Sequence, residues 1–255
     1  MYFDKTRNAG AGDFYNLASA IVAAPPMTLF CLYRNLNTDS SEADFQFILG
    51  VGQSGSASDG VALNKEAVGS FDDMPGFGNG GDSELENAAA RTGMWGGVAA
   101  SYHALTTTRS CAALFSPDAA GGQWWEDSSV GVALGAGWDR TRIGRAAHGV
   151  GGQSGVLGEA IFLAAWNVQL PLIALKALAM GQHPLGIGLQ SMVAFWEMLG
   201  GYNRSFVGAP ATLTRNGEPR SCTRPGNRNI KRHVWQPVIG RPALATVVGG
   251  RPAVR

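Results

Sequence analysis

The chain is poor in the side chains that carry most enzyme chemistry. Only 15% of its residues are charged and only four are histidine. His103, His148, His183 and His233 are scattered, with no His-Glu-Xaa-Xaa-His pattern and no nearby cysteine, which excludes the common zinc spacings. The three cysteines, Cys31, Cys111 and Cys222, show no Cys-Xaa-Xaa-Cys spacing, and two lie inside apolar runs. They read as small buried hydrophobes in a reduced compartment, and neither a disulfide framework nor a metal site is expected. No glycine pattern of the Walker or dinucleotide-binding type is present, and Ser154, in Gly152-Gln153-Ser154-Gly155, lacks the elbow of a serine hydrolase. The longest apolar stretch, Leu17 to Tyr33, is broken by Pro25-Pro26 and is too mixed to span a bilayer. The N-terminus lacks a basic region followed by an apolar segment and a small-residue cleavage site, so no secretory signal is visible and the chain is expected to stay where it is made, without export.

What is abundant is glycine, 36 residues in 255. With so little charge this excludes a helical bundle and favours many short strands joined by tight turns. Met27–Tyr33 and Phe45–Val51 are rich in β-forming residues and are separated by the polar stretch Asn35–Glu42, so they read as paired strands. Gly52 to Arg91 reads as irregular loop, with short apolar pieces at Val61-Ala62-Leu63 and Ala67-Val68. Gly96–Tyr102 and Arg109–Phe115 read as a hairpin turning at Thr106-Thr107-Thr108. Glu159–Trp166 is an apolar run of strand length. Leu170, Ile173, Ala174, Ala177 and Leu178 then fall at helical spacing, ending at Met180-Gly181, where glycine suits the left-handed cap. A short helix is expected over about 169–180, then a strand over Met192–Met198.

After Gly208 the composition changes. Residues 1–214 carry 11 basic and 18 acidic side chains, a net of −7, whereas residues 215–255 carry 9 basic and one acidic, a net of +8. Pro219, Pro225, Pro237, Pro242 and Pro252 forbid regular structure in the second part. Too few apolar residues are present for a core of its own, yet Ile230, Val234, Trp235, Val238, Ile239, Leu244, Val247 and Val248 suit an arm that orders on a partner. Two regions are therefore expected: a β-sandwich over 1–214 and a basic, extended arm over 215–255. The arm's contact residues would be Arg220, Arg224, Arg228, Lys231, Arg232, Trp235 and Arg241. Its charge favours an acidic protein surface, such as a neighbouring copy, over nucleic acid, which the acidic body would repel.

The ordered motifs resemble those of laminin-G-like, concanavalin A-like jelly rolls, especially domains of tailed-phage structural proteins. Ala164-Ala165-Trp166-Asn167 and Val193-Ala194-Phe195-Trp196 stand where that group has a strand ending Ala-Xaa-Trp-Asn and a strand Val-Ala-Tyr-Trp, with an Ala/Leu-rich helix between. Pro26 before a Thr-bearing apolar strand, Gly93-Met94-Trp95, and Thr141-Arg142-Ile143-Gly144 continue the likeness over roughly residues 20–215. Gly96-Gly97 departs from it, standing where the group carries histidine. The resemblance implies an all-β concanavalin A-like jelly-roll sandwich with one short helix. It also implies a non-enzymatic virion protein made in the host cytoplasm, with capsid decoration first and a tail or fibre component second. A glycan-binding adhesin is the alternative. Partners would be further copies in a dimer or trimer, the major capsid protein, or host-surface glycans, with no membrane.

Three clusters bear on chemistry. Glu84 and Glu86 have the alternate spacing that places two carboxyls on one side of a strand, as a retaining glycosidase needs, but lack the glucanase pattern and read as solvated loop residues. Asp72, Asp73, Asn79, Asp82 and Glu84 make an oxygen-rich loop of the kind calcium takes, with no recognised calcium spacing; no other cofactor is expected. Trp124-Trp125 offers aromatic faces suited to a sugar ring or to packing. Trp95, Trp138, Trp166 and Trp196 read as core.

Overall fold

A computed structural model describes residues 1–4, 6, 12–17, 19–36, 46–55, 60–68, 71–73, 76–78, 81–83, 95–103, 109–114, 123–127, 136–147, 155–198, 207, 213–216 and 219. Fifteen strands are present among them: β1 (Tyr2–Phe3), β2 (Phe14–Leu17), β3 (Met27–Asn35), β4 (Gln46–Gly52), β5 (Gly60–Val68), β6 (Phe71–Asp73), β7 (Gly76–Gly78), β8 (Gly81–Ser83), β9 (Trp95–Tyr102), β10 (Arg109–Leu114), β11 (Gln123–Asp127), β12 (Arg140–Ile143), β13 (Gly158–Trp166), β14 (Met192–Glu197) and β15 (Thr214–Asn216). One helix, α1 (Leu172–Ala179), and two 3-10 turns, Pro184–Gly186 and Leu189–Ser191, join β13 to β14.

The strands form two antiparallel sheets of a jelly-roll sandwich. The first runs β1-β13-β3-β9-β10-β11, with β14 also pairing β13; the second runs β15-β2-β12-β4-β5-β6; β7 and β8 form a separate hairpin. Between the sheets lie Leu29, Cys31, Tyr33, Val98, Tyr102, Leu163 and Trp196 from the first and Tyr15, Leu17, Leu49, Val51, Val61, Leu63 and Ile143 from the second. The Tyr102 hydroxyl crosses this core and donates to the Ala62 carbonyl at 3.1 Å. Cys31 is fully buried and unbonded, and burial pushes its thiol far above its ordinary pKa, in keeping with a small hydrophobe.

The hairpin β9-β10 and the order β13-α1-β14 match the sequence expectations. The expected pairing of Met27–Tyr33 with Phe45–Val51 does not occur: β3 pairs β13 and β9, while β4 pairs β12 and β5 in the other sheet. Consecutive strands that cross between sheets have the same composition as a hairpin, because each is buried on both faces. β4 is buried at all seven positions, which erases the alternation that would reveal its side. Gly52–Arg91 is also more regular than expected. It holds β5, nine residues long, along with β6, β7 and β8. The polar triplet Asn64-Lys65-Glu66 hides β5 in the sequence, although Lys65 and Asn64 stand opposite Gln46 and Phe47 in the ladder.

A third layer covers the outward face of the first sheet. Phe30, Leu32, Ala99, Ala112, Phe162, Ala164, Trp166 and Phe195 on that face pack with Leu170, Leu175, Leu178, Ala179 and Ile187. The helical face is turned from the one expected: Leu175, Leu178 and Ala179 are buried, whereas Ile173 is 72% exposed. An almost wholly apolar octapeptide, Leu-Ile-Ala-Leu-Lys-Ala-Leu-Ala, gives periodicity nothing to distinguish. The departure at Gly96-Gly97 acquires a reason here. A Cβ on Gly97 would sit 2.7 Å from the Ala179 carbonyl oxygen and 2.8 Å from its Cα, so α1 lies directly on the β9 backbone. The start of this layer is anchored by buried hydroxyls. Thr28 Oγ1 accepts from the Leu170 amide at 2.9 Å and lies 2.8 Å from the Val168 carbonyl and 2.7 Å from Ser101 Oγ, which is 3.0 Å from the Leu170 carbonyl. Trp166 Nε1 donates to the Ile187 carbonyl at 2.9 Å and holds the far end.

Candidate functional site

The residues singled out in the sequence are dispersed by the fold. Trp124 and Trp125 lie on β11, the edge of the first sheet, in register with Ala112 and Cys111. Asp72 and Asp73 lie on β6, the edge of the second sheet, opposite Ala67 and Glu66. Asp82 stands opposite Phe77 in the separate β7-β8 hairpin. Asn79, Glu84 and Glu86 lie outside the described residues, as do Arg220, Arg224, Arg228, Lys231, Arg232, Trp235 and Arg241. The oxygen-rich stretch expected as one loop is thus divided between strands of two different ladders. Among the described residues, no group of three or more His, Cys, Asp or Glu gathers as a metal site. The pairing of β15 with β2 carries the second sheet through Arg215 to Asn216, two residues beyond position 214.

The outward face of the second sheet supplies a constellation that the sequence reading passed over. On β12, Thr141 and Ile143 are buried while Arg140 and Arg142 alternate with them, so both arginines face away from the core. Register places Arg142 beside Asn16 of β2 and Gly50 of β4, with Asn16 in turn beside Thr214 of β15 and Phe14 beside Asn216. Beyond β12, Gly144 takes φ +87 and reverses the chain; a Cβ there would lie 2.7 Å from the Phe3 ring and 3.0 Å from the Asp13 carbonyl oxygen. The reversal brings Arg145 back over the sheet and seats Ala146 against Phe47 and Ala62. Gly50 leaves room for this segment: a Cβ would lie 3.3 Å from the Ala147 nitrogen.

Arg142 and Arg145 converge on one aromatic ring. Each guanidinium carbon lies 5.3 Å from the centroid of Phe14, the range of a cation–π contact. Arg142 is held on one side by Nε donating to Asn16 Oδ1 at 3.3 Å and by an Nη donating to the Ala146 carbonyl at 3.0 Å. No carboxylate among the described residues forms an ion pair with either arginine, in contrast to Arg34, which meets Glu159 at 3.2 Å. The carboxylate next in sequence, Asp139, instead accepts from the Ser54 amide at 2.7 Å and its hydroxyl at 2.6 Å, and these bonds lower its pKa. Burial, followed by the like charges of Arg140 and Arg145, lowers Arg142 to about 10, which leaves it cationic at neutral pH. The face therefore presents fixed cations on an aromatic floor, flanked by the amide of Asn16. That combination can accept an anion or hydrogen-bond a hydroxyl-rich ligand. Its sequence signal was Arg140-Thr141-Arg142, two cations alternating with core residues on a strand that ends in glycine.

The layer over the first sheet carries one titratable group of note. His183 is half-buried against Phe162 and Phe195, with ring centroids 5.1 and 5.4 Å away, and its Nδ1 accepts from the Leu185 amide at 3.3 Å. Desolvation lowers its pKa, against an opposing effect of Glu197. Ile173, Met180, Leu185 and Leu189 are exposed on this layer. No helix among the described residues is long and apolar enough to cross a membrane.

No family model and no curated protein matches the chain. Solved structures do. A putative carbohydrate binding protein from Bacteroides ovatus aligns over 85% of this chain and 57% of its own, at 15% identity and a TM-score of 0.50. A heptameric SAP-like pentraxin from Limulus polyphemus aligns over 66% of this chain and 75% of its own, at 13% identity and TM-score 0.48. The enzymatically active domain of tailspike protein 2 from bacteriophage CBA120 aligns over 70% of this chain but only 27% of its own, at 12% identity and TM-score 0.47. At such identities the likeness is one of fold: an all-β, lectin-like jelly-roll sandwich.

Proposed function

We propose that the chain is a non-catalytic glycan-binding module of a tail or fibre component in a tailed-phage virion. The observation that carries the binding reading is the outward face of the second sheet, where Asn16, Arg142 and Arg145 gather about Phe14 and neither arginine forms an ion pair among the described residues. Amide and guanidinium donors, held in place over the buried Phe14 ring, suit the hydroxyls of a sugar. A sandwich shared with a putative carbohydrate binding protein is consistent with this. The phage setting rests on the resemblance between residues 20–215 and tailed-phage structural domains. Capsid decoration, placed first on the sequence, gains no support from the fold. Glycan-array binding by the purified chain tests the reading: retained signal after truncation behind Pro219 is expected, and an array silent for both forms would overturn it.

The charge division favours a second, compatible role for residues 215–255. Their net of +8 against −7 for residues 1–214 suits contact between copies in a dimer or trimer. Light scattering of the full chain and of the truncated chain tests this; equal masses would remove the arm from assembly.

A further inference from the structure

We infer that the glycan taken by this module is acidic, and that Arg142 and Arg145 hold its carboxylate or sulfate group above Phe14; this rests on the glycan reading just given. Two guanidiniums drawn to a single ring repel each other, and within the described residues neither forms an ion pair with a carboxylate. Other polar groups in the sandwich have more of their bonds met: exposed Asp139 is held by Ser54, Thr28 by Ser101 and the Leu170 amide, and Arg34 by Glu159, although the Arg34 Nε is buried without a partner. The pair over Phe14 is open. Arg145 has no hydrogen-bond acceptor among the described residues. Arg142 has committed only Nε and one Nη. The uncommitted guanidinium nitrogens are not among the buried, unpartnered atoms, so they reach solvent. Five N–H donors in a planar fork match the oxygens of a carboxylate or sulfate, and a charge-assisted bond is roughly twice as strong as a neutral one.

The geometry is preorganised. Arg142 is fixed by Asn16 and Ala146, and Arg145 by the reversal at Gly144, the seating of Ala146 and the Phe14 ring. A ligand anion therefore meets donors whose conformational freedom is already reduced. Residues 1–214 as a whole, net −7 even with these two arginines counted, argue against a polyanion. Nucleic acid binding draws on many phosphate contacts across a basic surface, whereas this surface offers one small cationic focus in an acidic body. A sugar carrying an isolated acid group fits that focus.

The test uses the full chain on an array of neutral glycans printed beside their carboxylated and sulfated counterparts, with lactose, 3′-sialyllactose and lactose 3′-sulfate as solution probes. Inorganic sulfate and a single-stranded oligonucleotide serve as further probes. The expected result is at least tenfold preference for the acid-bearing member of a pair, lost in Arg145→Gln while the melting temperature is kept, and partly retained in Arg142→Lys. Perturbation of the Arg145 Nε–H resonance by the acidic probe, and not by lactose, would place the contact. Neutral sugars bound as well as their acidic partners would overturn the inference and leave the glycan reading standing. Sulfate bound as tightly as any sulfated sugar would do the reverse, keeping the anion site and removing the glycan. Tighter binding of the oligonucleotide than of any sugar, or Arg145→Gln without effect on acidic binding, would overturn the assignment outright.

Discussion

Each sheet turns one face to the shared core, and the two outward faces have opposite fates. That of the first sheet carries Phe30, Phe162, Trp166 and Phe195 and is covered by α1 and the two 3-10 turns. That of the second carries Asn16, Arg140 and Arg142, and among the described residues the return through Ala146 and Ala147 covers it at Phe47, Gly50 and Ala62. The same β-strand period that packs the core writes both outcomes: apolar residues on the outward positions demand a third layer, whereas arginines there demand water or a ligand. Glycine serves both faces. Gly97 lets α1 rest on a strand backbone, and Gly144 turns Arg145 onto Phe14.

The contrast can be broken most severely on the covered face. Trp166→Ala removes the largest side chain under α1 together with its bond to Ile187, and should destabilise the fold by about 3–5 kcal/mol in denaturant unfolding. A loss below about 1 kcal/mol would mean that the third layer is not integral. Thr28→Val keeps shape but strands the Leu170 amide, for an expected loss of about 1–3 kcal/mol by the same measurement. On the open face, Gly144→Ala meets both a positive φ and the Phe3 ring, and about 1–3 kcal/mol is expected, with loss of acidic-glycan binding as Arg145 is displaced. Smaller still is the pH effect at His183. Its folded pKa lies below the ordinary 6.5, so the unfolded chain binds more protons in that window. The contribution is present above about pH 6.5 and is lost as pH falls through the lowered folded value; His183→Gln should flatten the melting temperature between pH 7.5 and 5. Arg145→Gln should be the mildest, within about 0.5 kcal/mol of the parent. A large loss there would recast Arg145 as a structural residue.

Much of the covered face was legible in the sequence. Trp166 and Trp196 were expected in the core and are fully buried, on opposite sides of the first sheet. The hairpin β9-β10 and the succession β13-α1-β14 were equally plain, because their apolar runs are long and their breaks carry glycine or polar residues. The crossing of β3 and β4 between sheets was not, since a strand buried on both faces carries no sign of its partner. Nor was the orientation of α1, whose apolar residues occupy every side. The open face was harder. Arg142 and Arg145 are separated by a turn, and Phe14 joins them only through the β2-β12 pairing, a long-range register that spacing along the chain does not encode. Trp124-Trp125 and the Asp72–Glu84 stretch drew attention instead because aromatic pairs and acidic runs are visible locally.

The most direct measurement is hydrogen exchange of the full chain with and without a bound glycan. Slowed exchange confined to Phe14–Leu17 and to residues 140–147 is expected, with Leu172–Ala179 unchanged. Protection centred on α1 and the turns at 184–191, with residues 140–147 unaffected, would contradict the assignment of the second sheet's outward face as the binding surface.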